Sequence, residues 1–553
     1  MRAVRPAVEQ FHQPPNHGAP MTRRHGPTPP RNGFRRTSVR PNQRFAVALA
    51  LVALMSVACG ARLTPDQRTE ALAQNGGGRA DNGSAGVRGE GGTTGVRTPT
   101  AGSTTGGVTG TTGTTGTTGT TGTTGTAGRA ATTGRAGSPG PTRSSTGGAL
   151  HNTVLAPAGG NGGATDTGVT KDTIVIGNVS DISGAVPGLF EDAQLAVKAY
   201  VAYFTAREKT IYGRKLQLLA LDSRLDSGAN RSASIQECDE AFAGVGSVSA
   251  FDQGGAPVIR DCGIPDLRGL ATTDQMKAVP NVYPINTAGT GGSRSMAVFG
   301  WAKERFPAAV KKAAYIYIDG EVTRQLEQQD AEGARETLGF DWIYEAAVGL
   351  QETNYGPVVQ QMKSKGIRYV TFVGAYQQAA SLVQAMKQQN FTPDVFQPTV
   401  TAYTPEFIKQ AGAAAEGTYV AVMPSLIEEM AGNPELTVYA QWLNQVQPGA
   451  TPTGIGQFAW AAAALFVEKA KKIGPTLTRK ALLAELATVH SYNGNGLFPP
   501  QDVGGRRLSS CTQIVQVRGG KFVRLLPAAP RANRCVDPIW NSKTKQVEKG
   551  FPQ

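Results

Sequence analysis

Lysine is missing from the first 168 residues of this 553-residue chain, and cysteine and histidine occur only five times each. The histidines are scattered and no Cys-x-x-Cys occurs, so no metal-ligand spacing is present. No strand-like segment leads into G-x-G-x-x-G or G-x-x-x-x-G-K-S/T, which removes the sequence basis for a nucleotide site. A G-x-S-x-G elbow is also absent, and His490, near the end of a late helical stretch, lies beside no nucleophile. No enzyme activity, cofactor or metal is expected. Apolar runs of about 20 residues, the length a membrane-spanning helix needs, are lacking too.

The net charge of +14 would by itself point to nucleic acid or an anionic membrane. Its distribution excludes that reading. Residues 1–168 carry 17 Arg and six acids, whereas residues 169–553 carry 38 bases against 35 acids. The part able to fold is close to neutral, and no nucleic-acid partner is expected.

Residues 1–58 read as a leader. Nine arginines and one acid, Glu9, occupy residues 1–44. They precede Phe45–Ala58, fourteen residues with Ser56 as the sole polar member, the length of a signal-peptide core. Ala58 directly before Cys59 resembles a bacterial lipoprotein signal, so acylation of Cys59 and a lipid anchor are expected. An ordinary cleaved signal is the alternative, because Ser56 stands where lipoprotein signals usually have Leu. Residues 59–168 read as a disordered linker. Residues 60–168 hold 30 Gly and 27 Thr, with five consecutive Thr-Thr-Gly units from Thr111 to Gly125.

From residue 169 the pattern changes. Short apolar runs at Thr173–Val179, Leu216–Asp222, Val248–Phe251 and Pro265–Leu270 alternate with helical stretches at Phe190–Arg207, Asn230–Ala243 and Ala256–Asp261. A second set follows: strands at Ala313–Ile318, Trp342–Ala347, Tyr369–Val373 and Val395–Thr399, with helices at Met296–Arg305, Thr323–Thr337, Tyr355–Lys365 and Gln377–Gln389. Two such sets predict an α/β fold of two parallel-sheet lobes. Helices at Gln457–Ile473 and Arg479–Val489 and paired strands at Gln513–Val517 and Phe522–Leu526 close the chain. With Cys59 set aside, four cysteines allow three connectivities; the sequential one, Cys238–Cys262 and Cys511–Cys535, is expected in an oxidising compartment.

The order of several segments resembles the leucine/isoleucine/valine-binding protein family, the type I periplasmic binding proteins that serve ABC importers. The matching residues are Ser183-Gly184, Tyr212-Gly213-Arg214-Lys215, Asp222, Tyr355-Gly356-Pro357-Val358-Val359, Gly366-Ile367-Arg368-Tyr369-Val370, Gly374-Ala375-Tyr376, Ala415-Glu416-Gly417-Thr418-Tyr419 and Gly519-Gly520-Lys521-Phe522. The resemblance implies lobes joined by three hinge crossings, lobe 1 at about 169–288 and 424–507, lobe 2 at about 289–423 and 508–553. It also implies a ligand in the cleft, an ABC permease as partner, and a monomer in the cell envelope. Carried over residue by residue, it places Phe190, Ala271, Thr272 and Tyr376 near the ligand. The strand-end loops add Ser183, Asp252, Gln253 and Tyr403.

Departures from the family bear on the ligand. The loop after Val395–Thr399 reads Val400-Thr401-Ala402-Tyr403 where amino-acid binders have an acid, and Glu406 is the nearest carboxylate. Asp252-Gln253-Gly254-Gly255 replaces a Ser-rich loop, and Asp252 is the alternative counter-charge for an ammonium. An amino acid, an amide or a small carboxylate fits this reading, as does a surface sensor or display lipoprotein of the same fold without a transport role.

Overall fold

The computed structural model describes residues 158–552 apart from Ala288 and Thr290. The leader, Cys59 and the linker to residue 157 lie outside the described residues. Among the described residues, no helix is long and apolar enough to cross a membrane.

The chain first runs through β1 (Thr173–Ser180), α1 (Glu191–Arg207), β2 (Lys215–Asp222), α2 (Ser227–Glu240), β3 (Ala243–Val245), α3 (Ala256–Cys262), β4 (Asp266–Leu267) and α4 (Asp274–Lys277). The four strands form a parallel sheet in the order β2-β1-β3-β4. Ile174, Ile176 and Val179 of β1 are fully buried, as expected for a strand covered on both faces by helices. Side-chain caps begin several helices. Asp226 accepts from the Ala229 N–H at the start of α2, and Thr273 does the same for Met276 in α4.

A second set follows: β5 (Ser293–Ser295), α5 (Ala297–Arg305), β6 (Ala313–Ile318), α6 (Glu321–Leu338), β7 (Trp342–Val348), α7 (Gly356–Ser364), β8 (Tyr369–Val373), α8 (Tyr376–Gln388), β9 (Val395–Pro398), α9 (Pro405–Ala411) and β10 (Tyr419–Val422). Its parallel sheet has the order β7-β6-β8-β9, with Ile316 of β6 facing Ala346 and Phe372 of its neighbours. The chain then supplies three more helices, α10 (Pro434–Val446), α11 (Gly454–Ile473) and α12 (Arg479–Leu486). Last come β11 (Gln513–Arg518), β12 (Lys521–Leu526), β13 (Ile539–Asn541) and β14 (Gln546–Glu548). Two small antiparallel sheets, β10-β11-β12 and β14-β13-β5, complete the molecule.

Each α/β lobe is built from separated stretches of chain. One hydrophobic core draws on residues 169–285 and on 436–503. The second sheet is covered by two further cores, which combine residues 296–426 with 514–522 and Trp540. The Ala-rich stretch of α11 lets it lie close on α1, and Ala459, Ala461, Ala462 and Ala463 are fully buried there. Trp460 sits edge-on to Tyr200 at 4.9 Å, and its indole N–H donates to Glu435 at 2.7 Å, so this buried ring keeps its polar atom satisfied.

The chain therefore passes between lobes three times. Buried glutamines tie these crossings together. Gln501 accepts from the Thr287 hydroxyl at 2.9 Å, and Gln513 donates to the carbonyls of Met423 and Pro424 at 3.1 and 2.9 Å. The disulfides join Cys238 to Cys262 and Cys511 to Cys535.

Several boundaries differ from the sequence expectation. The third strand is Ala243–Val245 and not Val248–Phe251. It stops at Gly246, whose φ of +70° suits glycine and where a Cβ would meet Val197 at 2.5 Å. Pro265–Leu270 shortens to Asp266–Leu267. The linker's expected end at residue 168 also moves, because residues 161–168 are pinned to the lobe. Arg214 is buried and donates to the carbonyls of Asn161, Gly163, Thr170 and Pro475. The Asp166 carboxylate accepts from the Arg479 N–H at 2.6 Å. The apolar pattern leaves α10 and the β13–β14 hairpin unassigned: α10 spans 13 residues but packs on the remote α1, and β13 and β14 are three-residue strands, with β13 also paired to the remote β5.

Candidate functional site

The C-terminal ends of both parallel sheets face each other, and the loops leaving them enclose a cavity of about 340 Å³. From one lobe come Val186, Leu189, Phe190, Leu225, Phe251, Leu270, Ala271 and Thr272. From the other come Ile318, Asp319, Val322, Thr323, Leu350, Val373, Ala375, Val400 and Thr401. The cavity lies where open α/β sheets hold ligands. The N-termini of α6 and α8 open at it through Gly320 and Ala375, and the positive ends of the two helix dipoles favour negative charge.

A buried carboxylate positions the first set of loops. Asp181 accepts from the Ser223 hydroxyl (2.6 Å), the Ser249 hydroxyl (3.0 Å) and the N–H groups of Leu225 (3.0 Å) and Ala250 (2.7 Å). It thereby joins the segments that follow β1, β2 and β3. Burial outweighs these bonds and raises its pKa. Asp252 does the same for the loop after β4. It accepts from the N–H groups of Thr272 (2.8 Å) and Thr273 (3.0 Å) and from the Thr273 hydroxyl (2.6 Å), and it pairs with Arg268 at 3.1 Å.

These bonds sort the residues singled out from sequence. Phe190, Ala271 and Thr272 line the cavity. Ser183 does not, since its hydroxyl and N–H are spent on Asp222. Asp252 does not either: it is fully buried against Arg268 and is not a free counter-charge for a ligand ammonium. Gln253 reaches across to Glu321 at 3.3 Å, a contact between the lobes. Tyr376 and Tyr403 line a neighbouring cavity of about 400 Å³, which shares Leu189, Phe190, Val400, Thr401 and Ile455 with the first. The Tyr403 hydroxyl is taken up by Glu428 and the Ile427 N–H. Glu406 and Asp192 both line this second cavity. Burial pushes the Asp192 carboxyl up to about 6, despite the hydroxyl of Thr453 and the N–H of Ala193.

Sequence reasoning missed Lys277, Asn286 and Arg294, which also line the first cavity. Lys277 lies in a one-turn helix, and Asn286 and Arg294 flank a Gly-rich crossing, so neither periodicity nor motif marks them. Arg294 is held by Asp330 through Nε at 2.6 Å and Nη2 at 3.1 Å. Lys277 is buried with Asp274 at 3.4 Å. Burial first, and then the Arg294 charge, push its pKa below the ordinary lysine value. Among the described residues, no cluster of His, Cys, Asp and Glu has the makings of a metal site.

Comparison with known proteins places this geometry. The family model described as "Periplasmic binding protein" matches residues 173–521. Among solved structures, a fatty acid ABC transporter substrate-binding protein from Thermomonospora curvata superposes with a TM-score of 0.57 at 18% identity, over 72% of this chain and 100% of that one. A branched-chain amino acid transporter substrate-binding protein from Streptococcus pneumoniae, in complex with isoleucine, gives 0.55 at 16% identity, over 66% of this chain and 100% of that one. An ABC transporter solute-binding protein from R. palustris, in complex with benzoate, gives 0.54 at 16% identity, over 65% and 97%. No curated protein matches.

Proposed function

Because the chain belongs to the periplasmic binding protein family, we propose that it is an extracytoplasmic solute receptor of an ABC importer. It acts by binding, not catalysis, and presents its solute to a permease. The observation that carries this reading is the cavity lined from both lobes at the C-terminal ends of both parallel sheets, beside crossings on which a hinge can turn. Lobe 1 comprises about 169–288 and 424–507, and lobe 2 about 289–423 and 508–553. Acylation at Cys59 anchors the protein as a monomer, and the Gly/Thr-rich linker carries the lobes away from the membrane.

Thermal-shift screening of the full chain against amino acids, amides and carboxylates tests the reading. A bound solute raises Tm, by about 2.7 kcal/mol of added stability at a hundred times its Kd, and small-angle scattering reads a smaller radius of gyration as the lobes close. Absence of any stabilising solute overturns it. Mass spectrometry of the mature N-terminus tests the anchor, which requires an acylated Cys59.

A further inference from the structure

The first cavity is apolar over most of its wall, with Leu189, Phe190, Leu225, Phe251, Leu326 and Leu350 among its lining residues. Its hydroxyls are already committed. Thr272 donates to the Ser249 carbonyl at 2.7 Å, Thr401 to Gly374 at 2.6 Å, and Thr323 to Ile318 and Gly320. The Gln378 amide gives one N–H to Leu350 and its oxygen accepts from the Ala375 N–H. The side-chain donors left for a ligand are Lys277, Asn286, Arg294 and the second Gln378 N–H, and of these Lys277 and Arg294 carry charge. Arg294 gives Nε and Nη2 to Asp330, and its Nη1 makes no hydrogen bond among the described residues. Lys277, with three N–H bonds, has one long contact, to Asp274.

Of the carboxylates that would receive an ammonium, Asp252 is sealed against Arg268 and Glu406 faces the other cavity. Asp319, the one acid on this wall, is half exposed and shares its charge with Arg324. A buried ammonium without an acid partner is costly, whereas an anion here completes two half-used cations. A volume of about 340 Å³ lies at the small end of ligand pockets, which run from about 300 to 1,000 Å³.

On the reading that the cleft binds a solute, we infer that this solute is a short monocarboxylate with an apolar body and no ammonium group, its carboxylate held by Lys277 and Arg294 and its body by the wall around Phe190.

Isothermal titration calorimetry on the full chain, with 4-methylpentanoate, benzoate, 4-methylpentanamide and leucine as probes, tests this. The expected result is that at least one of the two acids binds about tenfold or more tightly than both leucine and the amide, the scale of one charge-assisted hydrogen bond. Lys277→Met should weaken the acids about tenfold and leave the amide within about twofold, while Phe190→Ala weakens acid and amide alike. The acid-to-amide ratio on the unaltered protein stands whether or not Lys277→Met folds. Tighter binding of leucine or of the amide, or an unchanged acid affinity in a folded Lys277→Met protein, overturns the inference and leaves the solute-receptor reading intact. Binding of no solute at all removes both.

Discussion

Glu237 shows how much charge the first lobe hides behind apolar strands. It is fully buried, and neither carboxylate oxygen has a hydrogen-bond partner among the described residues. Gly177 and Gly244 make room for it: a Cβ at Gly177 would lie 2.5 Å from Glu237, and one at Gly244 2.9 Å from Asp266. Burial, and then the Asp266 charge, push the Glu237 carboxyl up to about 8 against the pull of Arg268 and Arg479. The folded pKa exceeds the unfolded one, so this group leaves stability unaffected below about pH 4.5. Stability then falls as pH rises to about 8, by a few kcal/mol at most. Glu237→Gln should therefore flatten the decline, with urea midpoints of variant and parent diverging between pH 5 and 8 in the variant's favour. Equal slopes would contradict this account. None of it was legible in sequence, where Pro265–Leu270 reads as one more apolar strand although Asp266 and Arg268 are both buried there.

At the scale of elements, the loops that form the site depend on single polar residues beneath them. Asp181 offers two acceptor oxygens to four donors, which asparagine cannot do, since its amide nitrogen would face an N–H or a hydroxyl. Asp181→Asn should cost about 2–3 kcal/mol and weaken ligand binding by loosening the loops after β1 to β3, read by Tm and by titration with the best ligand. The crossings make the same point. Gln513→Leu strips the Met423 and Pro424 carbonyls of their buried donor and should cost about 1–3 kcal/mol. Alternation of strand and helix was visible along the chain because β-branched runs and helical spacing are local signals. The placement of β3 was not, because the run Val248–Phe251 is apolar for other reasons: Val248 packs in the lobe core beside Ser180, and Ala250 and Phe251 line the cavity.

Across the molecule, both lobes combine remote stretches of chain, and each carries a disulfide closing a 24-residue separation. The chain-entropy model assigns each about 3 kcal/mol, so Cys238→Ser/Cys262→Ser should lower stability by roughly that amount, measured by urea unfolding. An unchanged midpoint under reducing conditions would argue against it. The alternation of strands and helices and the near-neutral charge of the folded part are written in neighbouring residues, and reading along the chain recovers them. Phe190, Ala271 and Thr272 are reached through the resemblance to the family, which rests on the order of short segments along the chain. Lys277 and Arg294 reach one cavity wall by another route: a chain crossing and the docking of α4 on α6, where Asp274 meets Gln325 and Gln329 at 3.3 and 3.2 Å. Such meetings depend on contacts about 50 residues apart and on which donors the fold has already consumed. No local pattern carries that information, so the chemistry of the cleft emerged with the folded chain.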